Sequence, residues 1–331
     1  MKATKVGLVA DPDAPTEVAD RMGKLHPHGK DDADWDIELV SQPFTTDCED
    51  IETAVERLRD QAGERDWDLV VGITELPLRD DNGVYLLIET DQQCRTAVLS
   101  LPALGGVRVH ARTRAALRRL LTGMVDSTSK EQHRVPLPRR SGRWRLLLGM
   151  VLANRPWLLV PGLKSALVAA LATGAIATIN STVWLLAGSL SWWRLTVATV
   201  VSIALVVGWI VIDGELWDRP EHDSAEARER SRLYNTSTLL TLTTGVLICY
   251  AALYVVNLAW AMFILDPGLM GSYLKQPMGY GELFVLTWFV ASAATVGGAL
   301  GTGLESDEAI RAAAYSKREE ERRERLAGDR D

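Results

Sequence analysis

Apolar positions change character along the chain at about residue 143. Before that point they fall in short runs with a period of two or a helical spacing, and after it they gather into runs close to the ~20 residues that cross a bilayer. In the first part, KVGLVA is a β-branched run stopped by Asp11-Pro12, and Pro15 opens a helix with Val18, Met22 and Leu25 on one face. WDIELV alternates Trp35, Ile37 and Leu39 with Asp36 and Glu38, which predicts a strand buried on one side. Thr46 and Glu49 form a capping box ahead of a helix carrying Ile51, Val55 and Leu58. WDLVVGI is continuously apolar, as a central strand would be. VYLLIET and RTAVLSL add two strands, and a helix burying Leu117, Leu120, Leu121 and Met124 closes the block. This alternation predicts an α/β domain over residues 1–128, long enough to hold its own core.

Residues 129–160 read as a basic linker, HRVPLPRRSGR, followed by an interfacial helix. In that helix Arg143, Trp144, Arg145, Arg155 and Trp157 surround an apolar stretch that Pro156 ends too early to span. Residues 161–304 contain four expected spans, at 162–184, 195–212, 238–263 and 282–303. The tail, 305–331, opens on Ser306 as a cap and reads as a charged helix with Glu-Arg pairs three and four apart. The predicted fold class is therefore a cytoplasmic α/β domain followed by an α-helical transmembrane bundle.

Charge orients this arrangement. Arginine and lysine concentrate in the 213–235 loop and in the tail, whereas the opposite loops hold little more than Arg194 and Lys275. By the positive-inside rule a multi-pass protein of the plasma (inner) membrane results, with both termini cytoplasmic. Overall, 47% hydrophobic and 24% charged residues are what a soluble domain averaged with a membrane domain gives. The net charge of -7 disfavours nucleic acid as a partner. Cys48, Cys94 and Cys249 cannot build a disulfide framework, and the N-terminus lacks the apolar core of a signal peptide.

Candidate chemistry is sparse. Thr74, Glu75 and Asp80, at and beyond the end of the central strand, are the candidate ligand-binding residues; the alternative is a plain core strand with its turn. His26 to Asp32, HPHGKDD, gathers groups that can hold a divalent metal, but its Pro-Gly context reads better as a solvated loop. Arg108, Arg112, Arg114, Arg118 and Arg119 form either a solvated face or a contact for anionic head groups. No glycine-rich phosphate loop follows the first strand, so no cofactor is expected.

In the spans Ala166, Ala170 and Gly174 recur every four residues, and Gly297 with Gly301, overlapped by Ala299 and Gly303, forms GxxxG. Such faces let helix backbones approach, within one bundle or between two copies. Asn180, Ser181, Thr182, Asn257, Thr241, Thr243 and Thr244 either bond neighbouring helices or line a hydrophilic path. No ionisable residue falls near a midplane, which weighs against an ion-coupled transporter.

LVVGITELPL, followed some twenty residues later by AVLSLPAL and a helix, resembles the central part of archaemetzincin zinc peptidases. That resemblance covers about residues 67–125. The family's His-Glu-x-x-His is absent: RAALRRLLTG stands on the corresponding helix and Glu75 replaces the turn aspartate, so the resemblance implies a domain without peptidase activity. The whole arrangement, with its LESDEA tail, resembles a family of actinobacterial four-span integral membrane proteins, which implies location and topology only.

Together these readings favour a membrane-anchored scaffold or sensor with a ligand- or protein-binding cytoplasmic domain. A transport component or small channel is one alternative, and a membrane-tethered enzyme with an unrecognised site is another. The expected partners are the lipid bilayer, a second copy through the last span and a cytoplasmic protein.

Overall fold

A computed structural model of the chain describes residues 4–22, 35–45, 51–80, 84–91, 95–125, 134–138, 141–220, 225–275 and 277–302. The expected capping box at Thr46 and Glu49, the His26 to Asp32 segment, Gly303 and the tail lie outside the described residues. Contacts divide the chain into an α/β unit, which takes in Met1–Ala153 and His222–Leu233, and a helical unit over Asn154–Glu221 and onward from Tyr234.

The α/β unit runs β1 (Thr4–Ala10), α1 (Ala14–Asp20), β2 (Trp35–Ser41), α2 (Ile51–Arg65), β3 (Leu69–Thr74), β4 (Leu78–Arg79), β5 (Tyr85–Thr90), β6 (Thr96–Ser100), α3 (Val109–Val125) and β7 (Arg134–Pro136). The sheet order is β2-β1-β3-β6-β5-β4, with β7 paired to β5. β2, β1, β3 and β6 are parallel, whereas β5 runs antiparallel to β6. The uninterrupted apolar sequence of β3 matches its place between β1 and β6, where every residue is buried.

Alternate residues of the strands feed two cores. Val6, Leu8, Val71, Ile73 and Leu99 pack with Val18 and Met22 and with Leu117, Leu120, Leu121 and Met124 of α3. On the opposite face Val9, Val70 and Val98 pack with Phe44, Trp67 and the α2 residues Ala54 and Leu58. Burial on both faces is what holds a parallel sheet in place.

One expectation for the linker changes. Arg134–Pro136 is a strand, not a free tether: Val135 pairs with Ile88, Arg134 Nε donates to Glu89 Oε1 at 2.8 Å, and Leu137 is buried. Proline is compatible because the strand lies at the sheet edge. The helix expected in the membrane interface, α4 (Ser141–Ala153), is bound to the α/β unit through a 3-10 turn at Pro102–Leu104. The backbones meet so closely that a Cβ on Gly149 would sit 2.1 Å from the Pro102 carbonyl oxygen.

The helical unit contains α5 (Leu159–Gly162), α6 (Lys164–Thr178), α7 (Ser181–Ser189), α8 (Trp192–Asp213), most of α9 (Ala225–Ile264), α10 (Pro267–Leu274) and α11 (Tyr280–Thr302). Among the described residues three helices are long and apolar enough to cross a membrane: Trp192–Asp213, Ala227–Ile264 and Tyr280–Gly298. Less than half of the most apolar window of each is buried within the chain. Phe263, Ile212 and Ile176 lie exposed, an arrangement suited to hydrocarbon and not to water.

The expected first span, 162–184, is broken. α6 covers about 22 Å at 1.5 Å per residue, short of the ~30 Å hydrocarbon thickness. The helix stops at Thr178, and Asn180 restarts it by accepting from the Thr182 amide at 2.9 Å. The Thr178 carbonyl at the break is satisfied by the Trp184 indole N–H at 2.6 Å. A fourth crossing arises only if Gly142–Gly162 and Lys164–Thr178, bent by 56°, count as one span. α9 also begins earlier than expected, because AEARERSRLYN consists largely of good helix formers.

Candidate functional site

β1 pairs with β2 on one side and with β3 on the other, so the strand order reverses between β1 and β3. In open parallel sheets the loops diverge beyond the carboxyl ends of the strands at such a reversal and leave a crevice for ligands. Asp11 follows β1, Thr74 ends β3, and Phe44 and Thr45 lie beyond the end of β2. All four are buried, Asp11, Phe44 and Thr74 completely.

Their polar atoms form one chain. The Phe44 amide donates to Asp11 Oδ1 at 3.1 Å, and the Thr45 hydroxyl donates to Asp11 Oδ2 at 2.7 Å. The Thr45 and Thr74 hydroxyls lie 3.0 Å apart, and the Leu76 amide donates to Thr74 Oγ1 at 3.1 Å. Ser100 Oγ extends the chain by donating to the Leu76 carbonyl at 2.8 Å. A buried carboxylate is stable only where donors replace its water, and the bonds from Phe44 and Thr45 contribute to this. Hydroxyl, amide and carboxylate groups at adjacent positions satisfy one another here, so a polar ligand would enter by replacing one of these bonds.

Of the residues singled out from sequence, Thr74 is a member of this chain and Glu75 is buried beside it. Asp80 has a different place: its carboxylate accepts from the Val84 amide at 2.7 Å, between β4 and β5. Asp11 and Thr45 were missed. Asp11 had a signal, as the first polar residue after the first strand of an α/β pattern. Thr45, 34 residues away, had none. Among the described residues no group of three or more His, Cys, Asp or Glu is placed to hold a metal.

A second cluster lies a few residues further along the same strand connection. Arg79 of β4 is buried, its guanidinium 5.9 Å from the Tyr85 ring centre, and Nη2 lies 3.4 Å from Glu229 Oε2. Glu229 also pairs with Arg143 of α4. Glu229 stands in the first turns of α9, which through Leu233 belong to the α/β unit.

In the helical unit the small residues of α6 sit at close helix contacts. Ala170 and Gly174 are buried. A Cβ on Gly298 would lie 2.5 Å from the Ala166 carbonyl oxygen and 2.7 Å from the Ala170 Cβ, and one on Gly174 would lie 2.4 Å from Asn257 Oδ1. Gly297, by contrast, has nothing within 4 Å of an added Cβ. Thr241 accepts from Asn154 Nδ2 at 3.2 Å, whereas Asn257 bonds its own helix at the Leu253 carbonyl. The main polar junction was not foreseen: Thr199 of α8 accepts from the Trp288 indole at 2.7 Å, and Thr199, Tyr250 and Ser292 lie within 3.3 Å of one another.

Comparison with protein-family models, curated proteins and solved structures finds no match for this chain.

Proposed function

We propose that this chain is a membrane-anchored sensor or scaffold, with the α/β unit in the cytoplasm taking a polar ligand or a protein at the β1–β3 reversal. The observation that supports it best is the buried chain of Asp11, Thr45 and Thr74 at the position where α/β sheets bind ligands. From Thr74 the backbone runs through β4 to Arg79, and Arg79 holds Glu229 on a 40-residue helix that continues into the apolar span. This gives binding at the crevice a route to the membrane.

On this reading the protein is multi-pass in the plasma membrane with both termini cytoplasmic, as the arginine-rich loop and tail favour. The likeness of residues 67–125 to archaemetzincins is then one of strands without the zinc motif, and the arrangement as a whole resembles four-span actinobacterial membrane proteins. The open face around Gly297 offers a surface to a second copy.

Native mass spectrometry of the full-length protein in mild detergent tests the proposal. A co-purifying small molecule or protein bound to the wild type and lost in Thr74→Val supports it. Turnover lost in Glu75→Ala, or solute flux in proteoliposomes reduced by Asn257→Leu, would replace it with an enzyme or a transporter.

A further inference from the structure

The loop after β6 and the helix α4 bring two arginines to one oxygen. Arg112, in the first turns of α3, donates from Nη1 to the Leu104 carbonyl at 2.8 Å, and Arg145 of α4 donates from Nε to the same carbonyl at 3.0 Å. The approach depends on glycine. Gly105 has φ +79, and a Cβ there would lie 2.8 Å from Arg145 Cγ and 3.2 Å from Arg112 Nη1. A Cβ on Gly106 would lie 1.9 Å from Leu152 of α4. The loop and α4 are thus pressed together so that two cations share a single neutral acceptor.

Among the described residues neither guanidinium is paired with a carboxylate. Burial first, and then the neighbouring Arg112 cation, lowers the Arg145 pKa below its ordinary value. Two cations held side by side with most of their donors unused form a fork for an oxyanion, because guanidinium geometry matches two oxygens of one phosphate. The surroundings are apolar and exposed: Trp144 and Leu148, one turn apart on α4, are 66% and 55% exposed, and Val107 of the loop is 66% exposed. A tryptophan beside basic residues is the usual composition of a surface at the head-group level of a bilayer.

We propose that Arg112 and Arg145 form a seat for the phosphate of an anionic membrane lipid, with Trp144, Leu148 and Val107 resting among the head groups around it. The inference rests on the membrane reading of the chain, not on the crevice at Asp11. It makes the α/β unit a second, lipid-reading contact with the bilayer, independent of the spans.

The test titrates the full-length protein in non-ionic detergent with phosphatidylglycerol and, separately, with inorganic phosphate, counting bound molecules by native mass spectrometry. Phosphatidylglycerol is expected to bind the wild type at least tenfold more tightly than Arg112→Gln or the Arg112→Gln, Arg145→Gln double variant. Arg119→Gln, also exposed on α3, is expected to bind as the wild type does. Because Arg112 is exposed, its single variant keeps the test meaningful if the double variant folds poorly.

Equal lipid binding by wild type and Arg112→Gln overturns the seat. Inorganic phosphate binding with the same arginine dependence, while lipid binding lacks it, overturns the lipid and assigns free phosphate. Flotation with liposomes separates this from the underlying reading: a chain that floats but shows no arginine dependence refutes the seat alone, and one that does not float refutes both.

Discussion

Replacing Thr74 by valine keeps the branching and nearly the volume of the side chain and removes its hydroxyl. That hydroxyl accepts from the Leu76 amide at 3.1 Å and shares a bond with the Thr45 hydroxyl at 3.0 Å, in a completely buried position. In Thr74→Val the Leu76 amide loses this acceptor, at a cost of about 1–3 kcal/mol for a buried donor. The Thr45 hydroxyl loses less, because Asp11 Oδ2 still accepts from it at 2.7 Å. The cost is therefore about 1–3 kcal/mol, or roughly 5- to 150-fold at 1.4 kcal/mol per tenfold.

Amide hydrogen exchange of the full-length protein in detergent reads this directly, as faster exchange by that factor in peptides covering 69–80. Thr113→Val is the control. Thr113 is equally buried, but its hydroxyl bonds only the Val109 carbonyl of its own helix, so its loss costs within about 0.5 kcal/mol. If Thr74→Val exchanges as the wild type or as Thr113→Val does over residues 69–80, the chain of bonds at the reversal does not hold the loop and the candidate site loses its basis.

Two further expectations concern the helical unit. Gly298→Ala places a Cβ against a backbone oxygen of α6 that cannot swing away, and it is expected to cost about 1–3 kcal/mol in detergent melting, whereas Gly297→Ala stays within about 0.5 kcal/mol. An equal effect of the two would show that α11 does not face α6 through Gly298. Tyr250→Phe removes a hydroxyl 3.3 Å from Thr199 and 3.0 Å from Ser292, with an expected loss of about 0.5–1.5 kcal/mol in the same assay. An unchanged melting temperature would make that junction incidental.

What was legible in the sequence was what depends on local pattern. β3 announced its central place through a run with no polar interruption, and α3 announced its buried face through Leu117, Leu120, Leu121 and Met124. β7 was not legible, because Arg134-Val135-Pro136 has a tether's composition and its pairing with β5 is made across more than forty residues. The break at Asn180 was masked by the hydropathy of its neighbours, although Asn-Ser-Thr is helix-capping chemistry and carried a signal. At the site, Thr74 followed from its place at a strand end. Its junction with Asp11 and Thr45 required the strand order, which no local pattern contains.

The sensor reading makes a demand that a passive core would not meet: loosening the loop at Thr45 must be felt at α9. Among the described residues Thr45 bonds neither Arg79 nor Glu229, and the path from it to Arg79 runs through Thr74, Leu76 and the two-residue strand β4. Glu229 is poised to respond, because it is shared between buried Arg79 at 3.4 Å and exposed Arg143, so losing one cation leaves the other. A ligand can shift such an arrangement only by binding its two forms with different affinity, and a substitution that loosens one form mimics that difference. In Thr45→Val amide exchange is therefore expected to rise in Ala225–Leu233 as well as around Phe44, and Glu229→Ala is expected to abolish the difference between Thr45→Val and its own background over that stretch. Faster exchange confined to the neighbourhood of Phe44 would mean that the crevice and α9 belong to one folded unit without being energetically coupled. The chain would then anchor what it binds without reporting it.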